Sequence, residues 1–289
     1  MSEKQARAFM EQAKEKLGAW SMFWSSSDSL ETAAELYIKA GNSFQLASMW
    51  QEAGDAYVEA AKLYKRADHA MFEAARSFEK AAKSYKKVNP KDALTAMIAA
   101  VALDKANGSY RIAARHLEEV AQIYQDKLDE PQKAYDYYDE AANLYHADNS
   151  PTLANRCTLK AAELAAILGQ YDHAIIKFET VAFASIDDTL LSWSVKEYFL
   201  QAALCHICTK DYVASKKQLE KYADAYVGFD NTREYVLLSA IIRSVEDEDA
   251  DAFTQHVYDY DKLTKLDNWK TTILLRIKRS VTDDEINLR

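Results

Sequence analysis

The residues of this chain that could do covalent or metal chemistry are few. Cys205-His206-Ile207-Cys208 sets two thiols and an imidazole close together, and these are donor types that zinc accepts. A tetrahedral site needs a second pair of ligands, and no such pair completes it. On a helix the two cysteines share one face, where a thiol serves as a small buried apolar group. No glycine-rich phosphate loop, G-x-S-x-G or H-E-x-x-H stands anywhere in the sequence, so neither nucleotide nor acyl-transfer nor metalloprotease chemistry is indicated. The expectation is a protein without catalytic residues, cofactor, metal or small-molecule substrate.

The remaining clusters have the chemistry of recognition. Trp20, Met22, Phe23 and Trp24 crowd together in AWSMFWSSSDS, with Lys14 and Lys16 shortly before them. Such a group either packs beneath the first helices or forms an exposed loop that enters a lipid surface. A second cluster is basic. Arg76, Arg115, Asn155 with Arg156 beside it, and Lys196 recur at spacings of 39, 40 and 41 residues. Residues one repeat apart occupy equivalent surfaces in a stacked array, so these cations suggest an elongated acidic partner. A third is acidic: Glu246, Asp247, Glu248 and Asp249 in one turn, and Asp283, Asp284 and Glu285 ahead of Ile286 and Leu288. The plain reading is a solvated turn and a frayed end. The alternative is a pair of acidic docking patches at one end of the molecule.

The elements that must position these groups are helices in a repeat. Ala134, Tyr135, Tyr138, Ala141, Ala142 and Tyr145 return as Ala174, Ile175, Phe178, Val181, Ala182 and Ser185, 40 residues on. Ala93, Leu94, Met97, Ala100, Val101 and Asp104 precede them by 41. The intervening helix repeats as well: Ala75, Phe78, Ala82 and Tyr85, then Ala114, Leu117, Ala121 and Tyr124, then Ala154, Cys157, Ala161 and Leu164. A period of this size marks stacked helix–turn–helix units, with longer helices than in the tetratricopeptide repeat of about 34 residues.

Punctuation supports this. Six glycines and three prolines among 289 residues leave room for long helices and short turns. The first helix is expected over 3–17, ended by Gly18. Gly41 with Asn42, and Arg66 to Asp68, read as turns. Pro90, Pro131 and Pro151 read as helix starts, and Gly108, Gly169 and Gly228 as turn residues. The repeat loosens after Ser185, in IDDTLLSWS with its exposed-looking Leu190 and Leu191. Helices are then expected near 193–209, 211–226, 230–246, 249–264 and 268–281, followed by a mobile tail. The fold class is all-α: an array of helical hairpins over 1–186, carrying the aromatic loop near 18–27, and a terminal helical bundle over 187–289.

A net charge of −9 disfavours nucleic acid as partner. Three cysteines, an odd number, fit a reducing compartment. No secretory signal and no run of about 20 apolar residues is evident. The expected location is cytoplasmic, with any membrane contact peripheral.

KEYFLQAALCHIC at 196–208, LDNWKTTILLRIKRS at 266–280, LANRCTLKAAELAA, GQYDHAI and the acidic end DDEINLR carry a resemblance. Over essentially its full length the chain resembles the soluble NSF attachment proteins, the α type in particular. The resemblance implies a right-handed twisted sheet of helical hairpins, tetratricopeptide-like, followed by a helical bundle. It implies an adapter that binds assembled SNARE four-helix bundles and recruits the hexameric ATPase NSF, which pulls the bundle apart. Arg115 and Arg156 then correspond to cationic SNARE contacts, Lys196 to a basic position near that face, and Leu190 to an apolar contact. Trp20 to Trp24 correspond to the membrane-touching loop, Glu246 to Asp249 to acidic NSF contacts, and Leu288 to the leucine associated with stimulating NSF. Two positions depart from the family pattern. Lys210 stands where an acidic NSF contact is usual, with Asp211 adjacent, and Ser109 stands at a basic position, with Arg111 nearby. The runner-up is a generic tetratricopeptide-like scaffold that holds one extended peptide in a groove. A helical enzyme comes third.

Overall fold

A computed structural model describes residues 3–18, 27–67, 69–189 and 191–287, with side chains as far as 282. Among these residues the regular structure is fourteen α-helices and one short 3₁₀ turn, with no strand. The helices are α1 (Glu3–Gly18), α2 (Ser27–Leu46), α3 (Trp50–Arg66), α4 (Met71–Tyr85), α5 (Pro90–Ala106), α6 (Tyr110–Asp126), α7 (Pro131–Ala147), α8 (Pro151–Ile167), α9 (Tyr171–Ser185), α10 (Ser192–Cys208), α11 (Tyr212–Ala225), α12 (Arg233–Glu246), α13 (Ala250–Leu263) and α14 (Asn268–Asn287). The chain forms two compact units, Met1–Ala154 and Asn155–Arg289. The split falls inside α8. The sequence period, a different property, runs on to Ser185.

In the first unit each helix from α1 to α7 packs on the next, as a tetratricopeptide-like array of helical hairpins requires. The contacts are built from small residues. Ala33, Ala34 and Ala40 of α2, Ala53, Ala56 and Ala60 of α3, and Ala113, Ala114 and Ala121 of α6 are wholly buried. Small side chains let neighbouring axes approach closely, and large ones fill what remains.

Gly41 and Asn42 do not form the expected turn. Both lie inside α2. A Cβ on Gly41 would stand 2.6 Å from the ring of Tyr57, and the Tyr57 hydroxyl donates to Asn42 Oδ1 at 2.7 Å. The next helix pair repeats the arrangement. The Tyr85 ring occupies the space a Gly54 side chain would need, and its hydroxyl donates to Asp55 Oδ1 at 2.7 Å. Each glycine makes room for a ring, and the following residue satisfies the buried phenol.

The other turns fall where the sequence places them. α3 ends at Arg66, and Pro90, Pro131 and Pro151 open α5, α7 and α8. Asn89 caps α5, accepting from Lys91 N at 3.1 Å and Asp92 N at 3.3 Å. Positive φ recurs with the repeat: Gly108 and Asn149 form one series, Asp129, Gly169 and Lys210 another. Glycine takes this conformation without strain, and asparagine and aspartate take it more readily than most residues.

The second unit is held by larger groups. Phe199 stacks on Tyr222 with ring centroids 4.3 Å apart, and Phe229 lies 5.5 Å from Phe199. Glu179 of α9 accepts from Tyr222 Oη at 2.5 Å, Gln218 Nε2 at 3.0 Å and His206 at 3.2 Å. Arg276 of α14 donates to Ala166 O at 2.8 Å and Ile167 O at 2.7 Å, closing the carbonyl end of α8. Helices α10 to α13 begin and end within a few residues of expectation, while α14 continues past 281 to Asn287.

Candidate functional site

The residues singled out from sequence are divided between the two units. Arg76 and Arg115 belong to the first unit, on α4 and α6, and both are exposed. The Arg76 guanidinium lies 5.7 Å from the Phe72 ring centroid, a cation–π contact. Arg115 Nη2 lies 3.3 Å from Glu79 Oε1, which also accepts from Lys83 Nζ at 2.7 Å. Glu79 stands one turn beyond Arg76, so the basic column contains an acid between two of its cations. An exposed pair of this kind is worth about 0.2–1 kcal/mol. A partner offering several carboxylates can therefore compete for Arg115.

Beneath Arg115 lies a cluster that the search for motifs passed over. His116 is 1% exposed. Its Nδ1 is 3.1 Å from Asp104 Oδ2 of α5, and Asp104 is itself buried. Its Nε2 is 3.7 Å from Glu79 Oε1 and 3.3 Å from Arg115 Nη2. The nearby His116 imidazole, with Lys83, pulls the Glu79 carboxyl down to about 2 against the cost of its own burial. Burial disfavours the imidazolium, yet the hydrogen bond to Asp104 and the nearby Glu79 carboxylate prevail and raise the His116 pKa. The repeat held a signal for this. Asp104 occupies the register filled by Tyr145 and Ser185, and a carboxylate at a core position must find a charged or donating partner.

Arg156 and Lys196 belong to the second unit, on α8 and α10. Arg156 is exposed. Lys196 Nζ is 3.5 Å from Glu234 Oε1 of α12. Glu234 is buried, and its Oε2 has no hydrogen-bond partner among the described residues. Lys196 thus balances an interior acid as well as meeting solvent. Three residues ahead of it, in the first turn of α10, Trp193 is 79% exposed. A tryptophan so placed beside a cation suits an interface anchor. It lies off the apolar stripe of Val195, Phe199 and Ala202, so periodicity gave no sign of it. Leu190 lies outside the described residues, and Leu191 is half-buried.

Glu246, Asp247, Glu248 and Asp249 are all exposed, between α12 and α13. Their backbone is specialised: Glu248 has φ of 54°, and Asp249 caps α13, accepting from Asp251 N at 3.1 Å and Ala252 N at 2.8 Å. Three of the carboxylates are thus presented to solvent, while the fourth also holds a helix. Asp211, next to the departure at Lys210, likewise caps α11 through Ala214 N at 2.9 Å. Ser109 precedes α6, and Arg111 is exposed in its first turn.

Trp20, Met22, Phe23, Trp24 and Leu288 lie outside the described residues. Asp283, Asp284 and Glu285 lie on α14, with side chains outside them. No described helix is long and apolar enough to cross a membrane. Cys157 and Cys205 are buried. Burial raises the Cys205 thiol and pushes Cys208 up to about 11, so both stay protonated near neutral pH.

An all-α hairpin array with basic and acidic surfaces defines a class of interaction scaffold. The family model described as soluble NSF attachment protein, SNAP, matches residues 4–282. The chain is 35% identical to human alpha-soluble NSF attachment protein over 291 aligned positions, covering 99% of this chain and 98% of that one. It is 36% identical to bovine beta-soluble NSF attachment protein, covering 98% and 95%. It is 37% identical to the probable vesicular-fusion protein sec17 homolog of Schizosaccharomyces pombe, covering 94% and 93%. The chain belongs to the soluble NSF attachment protein family.

Proposed function

We propose that this protein is a non-enzymatic adapter in vesicle fusion and intracellular transport. It binds the assembled SNARE four-helix bundle, recruits the NSF hexamer and stimulates disassembly of the bundle by that ATPase. The observation that carries this reading is family membership along nearly the whole chain, with relatives named for NSF attachment and vesicular fusion. The cations support it. Exposed Arg76 and Arg115 on alternate helices of one unit, and exposed Arg156 with half-buried Lys196 on the other, offer positive charge to a long acidic bundle. Leu190, and Trp193 in the first turn of α10, supply apolar contacts. Glu246 to Glu248, the acids at the end of α14, and Leu288 face NSF. The loop holding Trp20, Met22, Phe23 and Trp24 touches the membrane peripherally from the cytoplasmic side.

The test is a pull-down with the full chain, using either assembled bundles or separate SNARE chains as bait. The reading requires retention on assembled bundles, little retention on separate chains, and weakening with salt, because exposed charges are screened over about 10 Å at 0.1 M. Equal capture by a single extended SNARE chain would identify a peptide scaffold instead.

A further inference from the structure

The geometry points to His116 and Asp104 as positioning residues for Arg115: a proton on the buried imidazole decides whether the guanidinium is held against Glu79 or released toward a partner. The inference rests on the proposed reading in which Arg115 meets an acidic bundle.

The donors around His116 are in conflict. Arg115 Nη2 lies 3.3 Å from both Glu79 Oε1 and His116 Nε2. A guanidinium nitrogen only donates, so this contact needs Nε2 to be an acceptor. Asp104 sits 3.1 Å from Nδ1 and accepts its proton in either state of the ring. A neutral imidazole therefore carries hydrogen on Nδ1 and offers the Nε2 lone pair to Arg115. In the charged ring Nε2 carries hydrogen. It then repels Arg115 and turns to Glu79, 3.7 Å away, a short shift from hydrogen-bond distance. Arg115 loses one acceptor and must share the other, Glu79, with a second cation.

The surroundings favour such an exchange. From α4 come Glu79 and, through it, Lys83. From α5 comes Asp104, while its neighbour Lys105 is engaged with Glu140 of α7 at 2.6 Å. On α6 itself Arg115 is adjacent, and Glu118 accepts from Tyr145 of α7 at 2.7 Å. The imidazole is buried beneath these groups, while Arg115 is more than half exposed. One charge is fixed inside and the other is free to swing. The raised His116 pKa brings the exchange toward neutral pH.

Coupling of this kind is reciprocal. If the proton loosens Arg115, then Arg115 must oppose the proton. The first experiment needs no partner. The His116 imidazole is followed by NMR through a pH titration, its signal assigned by loss in His116→Gln. Arg115→Gln should move the His116 midpoint to higher pH. An unchanged midpoint overturns the inference, whatever the protein binds. The second experiment measures affinity for assembled bundles between pH 6 and 8.5 at low salt. Wild-type affinity should fall about two- to fivefold as pH rises, the range an exposed ion pair supplies. His116→Gln should bind with no such slope, and Arg115→Gln should bind more weakly, also without slope. Equal slopes in wild type and His116→Gln overturn the inference. Arg115→Gln binding as tightly as wild type would instead remove Arg115 from the bundle-facing surface, leaving the NMR coupling to stand or fall by itself.

Discussion

Gly54 and Tyr85 show how single residues fix the spacing of this array. Glycine inside a helix costs roughly 1 kcal/mol relative to alanine, so a buried helical glycine needs a compensating contact. Here the contact is a tyrosine ring seated on the neighbouring backbone, with its hydroxyl on Asp55. Gly54→Ala should therefore destabilise the protein, by about 1–3 kcal/mol, even though alanine is the better helix former. A urea midpoint settles the sign. Stabilisation would mean that the ring yields easily and that the contact does not set the helix spacing. Gly41 was read from sequence as a turn because glycine beside asparagine is turn grammar. The competing signal, a tyrosine in the following helix needing both space and an acceptor, is long-range and becomes visible only when the helices are paired. Asp104 shows the reverse case. Its register marked it as buried, but its partner His116 could not be named until α5 lay against α6.

At the scale of elements the repeat was highly legible. Small residues at recurring spacings identified the hairpins, and prolines and positive-φ positions marked their ends, because these features depend on backbone chemistry that is local in sequence. Surfaces were less legible. Trp193 is off the buried stripe, so no periodicity points to it, and the ion pairs of Arg115 and Lys196 join helices that the sequence does not align. The turn between α12 and α13 shows why this matters for testing function. Asp249 holds the first turn of α13, and losing such a cap costs about 1 kcal/mol. Reversing all four acids would mix a binding defect with a folding defect. Changing Glu246, Asp247 and Glu248 to Lys while keeping Asp249 should leave the melting temperature within a few degrees of wild type and weaken NSF recruitment severalfold in gel filtration. Asp249→Ala alone should do the opposite, lowering stability with recruitment nearly intact. If the triple reversal recruits NSF normally, this turn is not the docking patch.

For the whole molecule the account is one of division of labour without catalysis. On the proposed function, small-residue hairpins build a scaffold, cations on it meet an acidic bundle, and acids towards the end of the chain meet an ATPase. Exposed ion pairs are each worth only about 0.2–1 kcal/mol, and several copies around one hexamer would compound such contacts through effective concentration. The most direct measurement is disassembly of a soluble, fluorescently labelled SNARE bundle by NSF and ATP, with and without this protein. Disassembly should require the protein and ATP hydrolysis by NSF. It should be nearly abolished by Arg115→Glu combined with Arg156→Glu, while that double variant retains wild-type helicity. Disassembly that proceeds equally without the protein, or equally well with the doubly reversed variant, would contradict the account.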